Sequence, residues 1–350
     1  GEVLDIYFAA FRIPDLIFAF LTLFVSSFAL VPLFSRQTKK ERGEALGSIL
    51  VVFGVSALCV TGLVALLLPF LLPFLVPGFS QHAMDETRML SYILLLQPVL
   101  LGLSSIVSAL VQASRMFMLF ALAPIFYNVG IIVGVTFLYP VYGMAGLAYG
   151  VVLGAALHFS VQLVPVCRMG IPLRTGLSLT TIVRSVVAPS LPRSVALVAN
   201  QSLLIAFASI GSLVSVGAVS ALSLSFNLQS VPLTVIGLSY ASALFPALAA
   251  LYHQGDLDGF RRQLWETVEH ILFWLLPATM FFIVLRAHIV RVVLGSGAFS
   301  WDDTRLTAAM LALFAVSLLA QCLLLVFSRA LYAAERSALP IILNVGASIV

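Results

Sequence analysis

The chain has 350 residues, 61% of them hydrophobic and 9% charged, with a net charge of +4 and a mean hydropathy of +1.13. Those values lie far outside the range of a soluble globular chain and describe a polytopic membrane protein. The positive balance does not point to nucleic acid, because the basic residues lie in short loops between apolar runs rather than on one clustered face.

The first stretch, Leu4 to Arg36, carries Asp5, Arg12 and Asp15, followed by 20 consecutive uncharged residues from Leu16 to Ser35. About 20 apolar residues rising 1.5 Å each cross about 30 Å of hydrocarbon, so this run predicts a transmembrane helix. The three charges sit at one mouth of it, where ionisable groups either serve function or reach out to the headgroups. Apolar runs bounded by charges, Gly or Pro then predict helices over 14–35, 46–76, 89–113, 119–139, 143–167, 192–222, 229–252, 264–293 and 305–328, and a tenth starting at 338. Pro77-Gly78 is read as ending the second helix and Tyr139-Pro140 the fourth. Residues 169–191, with two arginines and two prolines, read as a cytoplasmic linker with room for a surface helix.

Counting Lys and Arg over alternate loops puts thirteen on one side and five on the other. The richer side, which includes Arg36 to Arg42, is therefore expected to be cytoplasmic. Three short segments recur in order. Ala29-Leu30-Val31-Pro32 returns as Ala243-Leu244-Phe245-Pro246, Asp85 to Arg88 returns as Asp302 to Arg305, and Pro124 to Gly130 returns as Pro340 to Gly346, at offsets of 214, 217 and 216. Matching loops fall on the same side, so the repeat is parallel. It predicts an all-α bundle of two lobes with about six helices each, residues 1–168 and 192–350 joined by the linker 169–191. It also predicts that the first helix and the tail of a longer two-lobe protein are absent.

Polar residues on the first two helices of each copy are the candidates for holding cargo: Asp5, Arg12, Asp15 and Ser26 in the first, Asn227 and Gln229 in the second. The competing reading is that Asn, Gln and Ser glue helices together, worth about 0.6 kcal/mol each. His158, Gln97, Gln112 and Gln321 read as lone structural groups, and Asn128 and Asn344 as partners for backbone carbonyls freed by the prolines four residues before them. The cysteines Cys59, Cys167 and Cys322 lack ligand spacing. No catalytic grouping, metal set or phosphate-binding glycine loop emerges, so neither enzyme activity nor a cofactor is expected.

Asp5 to Pro14 (DIYFAAFRIP), Phe28 to Pro32 (FALVP), Ala123-Pro124 through Asn128, Pro232 to Gly237 (PLTVIG) and Ala243 to Pro246 together resemble the MurJ/MviN lipid II flippases, in the superfamily that also holds the multidrug extruders and polysaccharide flippases. The resemblance implies a multi-pass carrier of the bacterial inner membrane that moves a lipid-linked peptidoglycan precursor to the outer leaflet by alternating access. It implies membrane lipids and that precursor as partners, a coupling cation or proton as a further one, and a monomer. Asp5 and Arg12 match the family motif. Asp15 stands where the motif has Asn, Phe18 and Ala19 where it has two arginines, and Asn227 and Ser230 where a cavity arginine and glutamate are implied. Arginine is the natural ligand of a diphosphate. Two alternatives follow from those departures: a relative that has lost transport, or a cation-coupled exporter of small organic molecules. A pairing of Asp5 with a cationic group on the absent first helix, with both Asp5 and Arg12 facing a cleft, is the expected geometry.

Overall fold

A computed structural model describes residues 1–297, 299–334 and 339, apart from the side chains of Phe28, Pro192 and Arg193. The described residues are helical throughout, with turns but no strand. The helices are α1 (Glu2–Ser35, interrupted at Ser26), α2 (Lys39–Leu75), α3 (Gln81–Ala113), α4 (Phe117–Tyr142), α5 (Met144–Met169), α6 (179–214), α7 (Ala218–His253), α8 (Leu257–Val284), α9 (Arg286–Leu294) and α10 (Trp301–Ala333). Nine of the helices among the described residues are long and apolar enough to cross a membrane. The helix expected from 338, with Asn344 and the copy of the third repeat segment, lies outside the described residues.

Two compact units emerge, one made of Ile6–Leu213 and the other of Gly1–Asp5 with Val214–Val350. The core of the first is a run of buried aliphatic and aromatic side chains from α1, α2, α3 and α6, including Leu21, Phe34, Leu46, Phe53, Ile106 and Val186. In the same unit α4 and α5 meet backbone to backbone. A Cβ built on Gly130 would lie 2.2 Å from the Gly154 Cα, and one on Gly150 would lie 2.3 Å from the Gly134 Cα. Glycines four apart on both helices permit that approach, which maximises dispersion contact where no hydrophobic effect drives helices together. The second unit packs α7, α8 and α10 around Leu244, Leu248, Ile271, Leu275, Leu318 and Cys322.

One of the three repeated segments recurs as structure. Asp85 to Arg88 and Asp302 to Arg305 both lie near the starts of helices, capped by Ser80 and Ser300. Thr87 and Thr304 are both wholly buried, and each donates its hydroxyl to the carbonyl four residues back, at 2.7 and 2.9 Å.

Several expected boundaries are corrected. Helix α1 starts at Glu2 rather than at 14, so Asp5 and Arg12 lie within the helix and not ahead of it. Pro14 cannot donate to the Ala10 carbonyl, and the Ser91 hydroxyl does so instead at 3.3 Å, which lets the helix continue through the proline. Helix α4 likewise runs past Tyr139-Pro140 to Tyr142, because the wider π turn over Gly134–Leu138 accommodates the ring, and it stops at Gly143. The stretch expected as a helix over 192–222 ends at Val214, and α7 starts at Ala218 rather than at 229. The stretch 264–293 breaks at Leu285 into α8 and α9. Of the expected linker, residues 179–191 already belong to α6. The preceding loop lies along the start of α2, where the Ser48 hydroxyl accepts from the amides of Gly176 (2.9 Å) and Leu177 (3.0 Å).

Candidate functional site

A helix start leaves its first amides without partners, and the usual remedy is a side-chain oxygen at the N-cap. At the start of α7 that position is Gly217, held at φ +92°, a left-handed conformation that glycine adopts freely, and it has no side chain to offer. Asp5 supplies the missing acceptor. Its Oδ2 accepts from the Gly217 amide at 2.6 Å and its Oδ1 from the Ser220 amide at 2.7 Å. The carboxylate is 3% exposed. A buried negative charge at the positive end of a helix, with an amide donor for each oxygen, needs no cation beside it. Within this chain, amides occupy both oxygens.

Arg12 and Asp15 lie one turn apart on α1, in the other unit, and interact electrostatically. Arg12 is 8% exposed and Asp15 half-buried. Asp15 also acts electrostatically on Tyr127 of α4, whose hydroxyl accepts from Gln97 Nε2 at 3.2 Å. A guanidinium, a carboxylate, a phenol and a carboxamide thus share one region. Ser26 sits at the interruption of α1, buried, where its carbonyl accepts from the amides of Ala29 and Leu30. Phe18 is half-buried and Ala19 buried, so the two positions where the motif has arginines are apolar here.

Asn227 is exposed, and its carbonyl accepts from the Ser230 hydroxyl at 2.7 Å. Gln229 is 1% exposed, and neither atom of its amide has a hydrogen-bond partner among the described residues. The six candidates therefore divide: Arg12, Asp15 and Ser26 fall in one unit, Asp5, Asn227 and Gln229 in the other. Asn128 donates to the carbonyl of Pro124 itself at 2.9 Å, not to the carbonyl that this proline frees one turn earlier. Sequence reasoning missed Gly217, Ser220 and Tyr127. The first two act through backbone amides, which leave no mark in a sequence, and Tyr127 looks like any aromatic on an apolar helix.

A sequence profile described as Lipid II flippase MurJ matches residues 1–350. A probable lipid II flippase MurJ from Rhizobium tropici is 27% identical over 97% of this chain. The match covers 66% of that relative, so the chain spans just under two thirds of its length. Among solved structures, a lipid II flippase MurJ in an inward closed conformation matches with a TM-score of 0.84 and 22% identity, over 100% of this chain and 73% of that one. An inward-facing multidrug resistance MATE family transporter of the MOP superfamily matches with a TM-score of 0.79 and 15% identity, over 99% of this chain and 80% of that one. These two likenesses speak for the fold. The match along the whole chain, with nine span-length helices, makes this a multi-pass bacterial membrane protein that belongs to the lipid II flippase MurJ family.

Proposed function

We propose that the protein to which this chain belongs carries a lipid-linked peptidoglycan precursor, lipid II, from the cytoplasmic to the outer leaflet of the bacterial inner membrane by alternating access. The family match over residues 1–350 carries this reading. Arg12 is the group we assign to the anionic head of the cargo: it is a nearly buried guanidinium inside a span-length helix, where a charge is costly unless it serves a purpose. Asp15 tempers that charge from one turn away and Gln97 and Tyr127 add polar contacts, while Asp5 positions the start of α7, the helix that carries Asn227 and Gln229. A monomer, with a cation or proton as the coupling ion, completes the reading.

The test is complementation. The complete gene, expressed in cells depleted of their own lipid II flippase, should restore growth and outer-leaflet lipid II. Growth arrest with normal amounts of the protein in the membrane would speak for a relative that has lost transport.

A further inference from the structure

Helices α3 and α5 pack together and run in the same direction, because a single span, α4, lies between them in the chain. Along their interface the Ser104 hydroxyl and His158 Nδ1 stand 2.7 Å apart. One turn further on, each helix carries another buried polar residue, Ser108 at 5% exposure and Gln162 at 0%. Neither amide atom of Gln162 has a hydrogen-bond partner among the described residues. An amide withheld from both water and protein is costly, so an interior that encloses one supplies it with ordered water. An ionisable ring one turn from such an amide, inside a span-length helix, is a functional group before it is a packing group.

We propose that Gln162, Ser108 and the Ser104–His158 pair enclose a hydrated pocket in which His158 gains and loses a proton as the carrier turns over. This rests on the reading of the protein as a carrier and names a proton as its coupling ion. The proton comes from water in the pocket and returns to it. Ser104 suits both states of the ring, since a hydroxyl donates to a neutral imidazole nitrogen and accepts from a protonated one.

On α3, α4 and α5 no other charged residue lies at this level. Helix α3 carries no titratable group after Tyr92, and its charges, His82, Asp85, Glu86 and Arg88, lie about 24 Å or more before Ser104 along the helix. Helix α4 offers only Tyr127, Tyr139 and Tyr142, and α5 itself only Tyr149, Cys167 and Arg168.

The complete protein in nanodiscs, with its native cysteines replaced, tests the pocket without cargo. Gln162→Cys should react with a charged, water-soluble thiol reagent on the order of tenfold faster than Ala155→Cys, a wholly buried position on the same helix. In protein with 15N-labelled histidine, the resonance lost in His158→Gln should titrate reversibly between about pH 5 and 8. Its midpoint should move by about half a unit in Gln162→Leu. A Gln162→Cys thiol as inert as that of Ala155→Cys, or a His158 resonance constant with pH, would overturn the proposal. If both readouts hold but wild-type protein moves no lipid II, the proton site stands and the carrier reading fails, so the two failures are distinct.

Discussion

Asp5 and Gly217, 212 positions apart in the chain, are joined by a 2.6 Å hydrogen bond from the glycine amide to the carboxylate. A residue near the start of the sequence thus provides the cap that α7 lacks locally. Asp5→Ala leaves the amides of Gly217 and Ser220 buried without acceptors, at about 1 to 3 kcal/mol for each unmade bond. We expect the complete protein to lose about 2 kcal/mol or more against SDS or heat, with faster hydrogen exchange in the first turn of α7. Asp5→Asn keeps one oxygen and should lose about half as much. Unchanged stability and exchange in Asp5→Ala would remove the capping role.

The α4–α5 contact makes a sterically sharp prediction. Gly150→Val places its Cβ 2.3 Å from the Gly134 Cα, so the helices must part, at a cost of about 2 to 3 kcal/mol. Gly62→Ala has nothing within 4 Å and should be neutral or stabilising by up to about 1 kcal/mol. Thermal unfolding of the two variants side by side checks this, and equal midpoints would contradict it.

Pro14 and Ser91 should be energetically coupled through the Ala10 carbonyl. Ser91→Ala alone leaves that carbonyl without its donor and should cost about 1 kcal/mol. In a Pro14→Ala background the helix supplies its own amide and the same change should cost little, giving a coupling of about 0.5 to 1 kcal/mol in a double-mutant cycle. Strict additivity would mean that the hydroxyl plays no part in carrying the helix through the proline.

These pairs also mark how far the sequence could be read. The spans were legible because 20 uncharged residues after Asp15 can hardly be anything else, and the repeat because three short segments, Asp85 to Arg88 and its copy Asp302 to Arg305 among them, return in order at nearly one offset. The true start of α1 was not legible. Pro14 reads as a first helical residue, and what carries the helix through it is a hydroxyl 77 residues further on. The break at Gly217 was hidden for the same reason, since its cap comes from Asp5 and no charge or proline marks it locally. Arg12 and Asp15 stood out as charges in an apolar context, but the Gln97–Tyr127 hydrogen bond forms only through the packing of α3 and α4.

Topology gives an independent check. Helix α2 spans 37 residues, about 55 Å, and separates Lys40 from Gln81 across any bilayer it crosses. Cysteines placed at those two positions, in protein otherwise free of cysteine, should label from opposite faces of intact cells, with Gln81 outside. Labelling from one face would undo the positive-inside assignment.

Arg12 offers the most direct measurement, because it is the cation assigned to the cargo's anionic head. In proteoliposomes holding the complete protein, wild type should expose fluorescent lipid II to an outside reagent, and Arg12→Ala should slow that by on the order of tenfold or more while Arg12→Lys recovers only part. Wild-type rates in Arg12→Ala, with equal reconstitution, would contradict the assignment of this guanidinium to lipid II.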